Sequence, residues 1–425
     1  MKTRIIITVL VSSSTLEIIA ALNLPYRTSS SPHISTTKKE VILSRRKVLS
    51  TAAAASLLVL LPPPSIANAA TDDRRKKKDN FKQWTCDELT PDLCDDLEIE
   101  TGSLMIRSIP VKYWRYKQKK SLGGTIIDDN TSSSQSPPLP IICLHGGPGY
   151  THNYILPLKQ LACRGREVIF YDQAGCGEST LRKGKSVSTD KFPHLLDPAY
   201  YSEEELPALI QHWKLDKYHV LGHSWGTMLA QLFALNAKDA NIGMQSLILS
   251  GPISDSQAYI EAQWEEKEGN LASLPPFVQS RIRALEEEGA YESKEYGAIN
   301  DVLTTFFTAR TAPAPDCLTS AVAGLNEEVY VGMQGPSEFS MSGLLADFNV
   351  TGRLHDEINV PVLLTHGVYD TMRPSIVKTM EKELKYAERV VFPHSGHVSM
   401  IDDAEMMNDV VSDFVTRVET KQYKY

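Results

Sequence analysis

Six short apolar runs constrain this chain more than any other feature. They are PIICL (140–144), EVIFY (167–171), YHVLG (218–222), SLILS (246–250), VPVLL (360–364) and RVVF (389–392). None shows the polar alternation of a half-exposed strand. Runs this short and continuous suit strands buried on both faces of a mostly parallel sheet. Amphipathic stretches between them, such as SEEELPALIQHWKL (202–215), supply crossover helices. SLMIRSI (103–109) and VKYWRYK (111–117) read as a hairpin joined at Pro110, which brings the expected sheet to eight strands. The spacing breaks between Ser250 and Val360, where the pattern turns helical. A gap that long is no simple connection and reads as an inserted cap. The expected layout is an α/β core over 101–252 and 358–425, with a helical cap at 253–357 between strands six and seven. The polar stretch SLGGTIIDDNTSSSQSPP (121–138) reads as an exposed loop.

The first 69 residues read as a targeting presequence. MKTRIIITVLVSSSTLEIIAALNLP (1–25) has the basic start and apolar body of a signal peptide. A Ser/Thr-rich, acid-poor segment follows (26–41), as in a plastid transit peptide. Arg45-Arg46, an Ala/Leu run and Ala67-Asn68-Ala69 form a second, twin-arginine unit with a cleavage site. The order resembles the presequence of a thylakoid-lumen protein in an alga with a complex plastid. The alternative is secretion or another plastid compartment. The run 48–61 is shorter than the roughly 20 residues a membrane span needs, so no stable membrane insertion is expected after processing. The presequence holds eight Lys/Arg and two Asp/Glu; taking that +6 from the overall −8 leaves −14. Such an acidic chain does not suit non-specific nucleic-acid binding. Residues 70–100 form a leader, charged at TDDRRKKKDN (71–80). The leader carries Cys86 and Cys94, either a disulfide pair in an oxidising lumen or two free thiols. Cys143, Cys163, Cys176 and Cys317 read as packing residues, and no metal-type cysteine spacing is present.

Gly222-His223-Ser224-Trp225-Gly226 fits G-x-S-x-G between an expected strand and an expected helix. Such a turn is sharp and strained. It lifts the serine hydroxyl above the sheet, over free N–H groups of a helix N-terminus. The bland alternative is a glycine-flanked serine in an ordinary βα turn. A serine hydroxyl needs a base, and in this architecture the acid and histidine follow it in chain order. Asp370 follows the strand VPVLL and His397 follows RVVF, so both fall at the sheet edge that carries Ser224. Ser224, His397 and Asp370 are therefore the expected nucleophile, base and orienting acid. His394 is the rival base and Asp347 the rival acid. The oxyanion hole should combine the Trp225 N–H with a donor from HGGPG (145–149), for which Gly147 is the candidate.

HGGPG, YDQAGCGES (171–179), GHSWG, GVYDTMRP (367–374) and SGH (395–397), in that order, resemble the prolyl iminopeptidase family of α/β-hydrolases, a peptidase S33-like group. The likeness runs from about Leu104 to the C-terminus. GMQGPSEF (332–339) further resembles the branch of the tricorn-interacting aminopeptidase. There a cap glutamate binds the substrate's free amine, which implies a substrate-binding role for Glu338. Members of that branch also carry a glutamate directly after the triad aspartate; here the position is Thr371. The resemblance implies a serine exopeptidase that releases an N-terminal residue, proline or small apolar, from short peptides. The alternatives are an amide or ester hydrolase acting on a small plastid metabolite, and a non-catalytic receptor of the same fold. No cofactor or metal is expected.

Overall fold

The computed structural model describes residues 84–119, 137–182, 184–236 and 241–423. The presequence and the loop 120–136 lie outside the described residues. The strands are β1 (Leu97–Ile106), β2 (Ile109–Gln118), β3 (Ile141–Leu144), β4 (Val168–Tyr171), β5 (Tyr218–His223), β6 (Met244–Ser250), β7 (Val362–Gly367) and β8 (Ala387–Phe392). They form one sheet in the order β1-β2-β4-β3-β5-β6-β7-β8. The pairs β1/β2 and β2/β4 are antiparallel and the rest are parallel. The runs led to the mostly parallel eight-stranded sheet, and its order is the α/β-hydrolase architecture that the resemblance implies.

Period-2 geometry sends alternate side chains to opposite faces. Ile142, Leu144, Ile169, Tyr171, Val220, Leu247, Leu249 and Leu364 lie in one core. Ile141, Cys143, Val168, Phe170, Leu221, Ile248 and Leu363 lie in the other. Both faces are thus dry, which is why these strands carry no polar alternation. α1 (Leu206–Trp213) and α2 (Trp225–Asn236) cover the first face. The helical segment His152–Arg164 and the C-terminal helix (Ala404–Glu419) cover the second. That last helix turns Met407, Val411, Phe414 and Val415 inward, one stripe at helical spacing.

The hairpin differs from its sequence reading. The turn lies at Arg107-Ser108, both at positive φ (44° and 67°), and Pro110 sits inside β2 opposite Met105. Two consecutive left-handed residues suit the tight turn of a right-twisted hairpin, but Arg-Ser gives no turn signal. β1 starts at Leu97, earlier than its apolar run, because this edge strand is mostly exposed and needs no apolar pattern.

Between β6 and β7 the chain leaves the sheet and forms α3 (Ser256–Gln263), α4 (Pro276–Glu287), α5 (Lys294–Leu303), α6 (Asp316–Ala323) and α7 (Glu327–Met333). Leu271, Ile282, Leu285, Tyr296, Leu303 and Phe339 make a small core of their own within this cap. After β7 come α8 (Pro374–Glu383), β8 and α9 (Ala404–Glu419).

The cysteines also correct the sequence reading. Cys86 is bonded to Cys317 and Cys94 to Cys163, with Cα–Cα separations of 5.5 and 5.6 Å. Both leader cysteines therefore staple the leader to distant chain, one to α6 of the cap and one to the end of the helical segment under the sheet. The leader is further held by Asp316, whose N–H donates to the Trp84 carbonyl (2.9 Å) and whose carboxylate accepts from the Cys86 N–H (2.8 Å). Long-range pairing of this kind has no local sequence signal. Cys143 and Cys176 are free and buried.

Candidate active site

Ser224 has φ of 56°, a left-handed conformation that a non-glycine residue adopts at a cost. The surrounding glycines make the turn possible. A β-carbon on Gly222 would collide with the Gly226 carbonyl, and one on Gly226 with the Leu144 carbonyl. The Ser224 N–H donates to the Ser250 carbonyl (3.0 Å), which ties the turn to the end of β6. The next residue, Gly251, lies directly under the His397 ring: a β-carbon there would come within 2.6 Å of Cε1 and 2.7 Å of Nδ1. Ser250 and Gly251 thus link the nucleophile turn to the imidazole along the rim of β5 and β6, although Ser224 Oγ and His397 Nε2 are not hydrogen-bonded to each other.

His397 is almost fully buried, and its Nδ1 lies 2.7 Å from Asp370 Oδ1. The same carboxylate oxygen accepts the Met372 N–H at 2.8 Å. Asp370 is fully buried; burial opposes its charge, but the His397 ring and these donors outweigh it and hold its pKa below the usual range. Burial likewise opposes a charge on His397, yet the Asp370 and Glu338 carboxylates raise its pKa above 6.5. His397 Nε2 is buried and makes no hydrogen bond among the described residues. An imidazole with Nδ1 held by a carboxylate and Nε2 free can take a proton from a neighbouring hydroxyl. His394 is exposed, and its carbonyl accepts from Arg310 Nε (3.1 Å). Asp347 is exposed on the cap.

The HGGPG loop follows β3 and closes on the nucleophile. A β-carbon at Gly146 would sit 2.7 Å from Ser224 Cβ, so only glycine lets the loop come this close. Gly147 has φ of 119°, and Trp225 opens α2. Gln173, in the stretch after β4, ties these two elements together. Its Nε2 donates to the His145 carbonyl (2.9 Å), its backbone N–H donates to His145 Nε2 (3.0 Å), and its Oε1 accepts from Trp225 Nε1 (2.8 Å). Gln173 was legible in the sequence only as a letter of YDQAGCGES; nothing there showed that it holds both halves of the expected oxyanion hole.

Glu338 reaches the site from the loop after α7. Phe339 anchors that loop in the cap core, and Tyr259 Oη donates to the Glu338 carbonyl (2.6 Å). The Glu338 carboxylate accepts from Tyr330 Oη (3.4 Å) and stands 3.9 Å from His397 Nε2, with 21% of its side chain exposed. Burial raises its pKa, partly offset by the His397 ring, while Asp370 adds to the rise. Thr371 is fully buried; its hydroxyl leans on Asp370 Oδ1 (3.4 Å) and its carbonyl accepts from Gln263 (2.6 Å). It therefore offers a substrate no second charge.

Residues 140–289 match the family model described as the alpha/beta hydrolase fold. A proline iminopeptidase of Clostridioides difficile (strain 630) is 34% identical over 296 residues, covering 68% of this chain and 92% of that protein. One from Levilactobacillus brevis is 36% identical over 273 residues, covering 63% and 85%. Among solved structures, the proline iminopeptidase of Mycobacterium smegmatis aligns with a TM-score of 0.64 and 27% identity, over 76% of this chain and 100% of that one.

Proposed function

We infer the activity from one premise: the chain belongs to the proline iminopeptidase family of α/β-hydrolases. It is a serine exopeptidase that releases an N-terminal residue, proline or small apolar, from short peptides. Ser224 attacks the first carbonyl, and His397 takes its proton and returns it to the leaving amine. Asp370 holds the imidazole and offsets its transient charge. The Gly147 and Trp225 N–H groups face the oxyanion. Water, giving its proton to His397, then attacks the Ser224 ester, breaks the Oγ–C bond and frees the N-terminal residue as the proton returns to Ser224.

One observation carries the exopeptidase reading: a half-buried carboxylate 3.9 Å from the free nitrogen of the base. A substrate ammonium paired with Glu338 can reach Ser224 only with its first carbonyl, so the pair fixes cleavage after one residue. The buried Thr371 favours a second reading, a hydrolase of small amides or esters, because one anionic anchor of the resembled tricorn-interacting branch is missing. The test is Glu338→Gln against paired substrates with free and blocked N-termini. A charge-assisted hydrogen bond is worth roughly 1.5–3 kcal/mol. The loss in kcat/KM should therefore be about ten- to a hundredfold for the free amine and nearly nil for the blocked form. Equal losses for both would transfer the case to the second reading.

For compartment, we propose delivery to the thylakoid lumen after cleavage between Ala69 and Ala70. Two disulfides within the folded region support an oxidising destination. N-terminal sequencing of the native protein decides it; a mature start near Met1 would end the proposal.

A further inference from the structure

His223, the residue before the nucleophile, has no role in the chemistry described so far. Its imidazole is buried beneath the site, in ring contact with His397 (centroids 4.6 Å apart) and with Tyr154 (5.2 Å). Its Nε2 lies 2.9 Å from the His397 backbone carbonyl and its Nδ1 lies 2.7 Å from Tyr154 Oη. Tyr154 Oη in turn accepts the Gly146 N–H at 2.6 Å.

The partners fix every proton. A carbonyl can only accept, so His223 Nε2 must carry hydrogen. In a neutral ring Nδ1 is then the acceptor, and the Tyr154 hydroxyl must donate to it. The chain runs one way: Gly146 N–H to Tyr154 Oη–H to His223, and His223 Nε2–H to the His397 carbonyl. It joins the oxyanion loop to the backbone of the base. That backbone is also held from the cap, because the His397 N–H donates to the Phe307 carbonyl (2.9 Å).

We propose that His223 and Tyr154 are positioning residues which together hold the Gly146 loop and the His397 peptide at a fixed distance across the nucleophile. The proposal rests on the reading of Ser224 and His397 as nucleophile and base. Burial, and then the nearby His397 ring, drive the His223 pKa down to about 3, with the His397 carbonyl and Asp370 opposing. The ring therefore remains neutral while its neighbour becomes an imidazolium. A charged His223 would have two donors, would turn Tyr154 away from Nδ1, and would place a second cation beside the one that catalysis creates.

The test uses Tyr154→Phe, His223→Leu, His223→Gln and the double variant Tyr154→Phe/His223→Leu. Rates on a prolyl chromogenic substrate are expressed per active site titrated with a fluorophosphonate. Each of the first two should lower kcat by roughly ten- to a hundredfold with KM changed less than about threefold, since two neutral hydrogen bonds are lost in each. The double variant should be little worse than either, because one chain is broken in both. His223→Gln, which keeps a donor for the His397 carbonyl, should recover part of the loss. Additive losses, unchanged kcat per titrated site, or no recovery by Gln would overturn the proposal. Tyr154→Phe keeps the ring and its packing, so it stays informative if His223→Leu folds poorly. Wild-type protein that the fluorophosphonate fails to label at Ser224 would instead refute the nucleophile reading itself.

Discussion

Opening the Cys94–Cys163 disulfide should loosen the fold measurably, and its size can be worked from the chain. The bond spans 69 residues. Closing such a loop in the unfolded chain is worth roughly 4 kcal/mol on the chain-entropy model. The described fold is about 320 residues, for which the unfolding entropy is about 0.7 kcal/mol per kelvin. The upper bound on the shift is therefore about 6 °C. The realised shift should fall at about 3–6 °C, since disulfides often deliver less than the model allows. The Cys86–Cys317 bond spans 231 residues, but the two loops overlap and their effects should not add. Accessibility separates them: Cys94 and Cys163 are partly exposed, whereas Cys86 and Cys317 are buried at 7% and 4% exposure. Mild reductant should open Cys94–Cys163 first. The assay pairs a thermal melt of oxidised protein, TCEP-treated protein and the Cys94→Ser/Cys163→Ser variant with a thiol count in denaturant. Without reductant, two thiols per chain should react, those of Cys143 and Cys176. Six reactive thiols, or a Cys86–Cys94 peptide pair by mass spectrometry, would refute the pairing.

Three further outcomes follow from the site and its surroundings. Ser224→Ala and His397→Ala should each cost about 10⁴–10⁶ in kcat, and the double variant should be little worse, because the groups act as a unit; near-normal turnover by Ser224→Ala would remove the nucleophile assignment. His397 must be neutral to accept a proton and its pKa is raised, so kcat/KM on a blocked ester should climb with pH through a value above 6.5. Glu338→Gln removes one of the charges that raise it and should move that limb to lower pH; an unmoved limb would contradict the coupling. Glu205 is fully buried, with Oε2 accepting the Ala174 N–H at 2.9 Å, and burial pushes its pKa up to about 8. Its folded pKa exceeds the unfolded 4.5, so its stabilisation is complete below pH 4.5 and fades as pH rises through 8, by at most on the order of 5 kcal/mol. Glu205→Gln should flatten the fall in Tm between pH 5 and 9, and an equally steep fall in the variant would show that another group is responsible.

The parallel sheet was legible because strands buried on both faces are apolar almost throughout, as the runs of β3 to β7 are; the sixth run, in β8, is a half-buried edge strand. The same logic placed Ser224, Asp370 and His397 on one rim, since parallel strands deliver their C-terminal ends to one edge. The hairpin turn was not legible, because Arg107 and Ser108 adopt positive φ without the Asn or Gly that announces it. The disulfide partners were hidden for a related reason: Cys86 and Cys317 lie 231 residues apart, and proximity in sequence suggested Cys94 instead. Side-chain bridges were the least visible. Gln173 and Tyr154 act through contacts with elements that only the fold brings near, so the sequence could show their presence but not their partners.

The cap contributes more to this site than a cover. The N–H groups of His397 and Val398 donate to the carbonyls of Phe307 (2.9 Å) and Thr308 (3.0 Å), on the turn that ends α5. Gly396 permits this contact, since a β-carbon there would press on the Phe307 carbonyl at 2.8 Å. The same cap carries Glu338, 3.9 Å from the base. If the cap swung away as one body, both backbone bonds would break, leaving His397 held by Asp370 and His223. On the proposed reading the amine anchor and the support of the base lie on one insertion, so the spacing of Glu338 from His397 depends on the cap's internal packing, in which Phe339 and Leu303 share one small core.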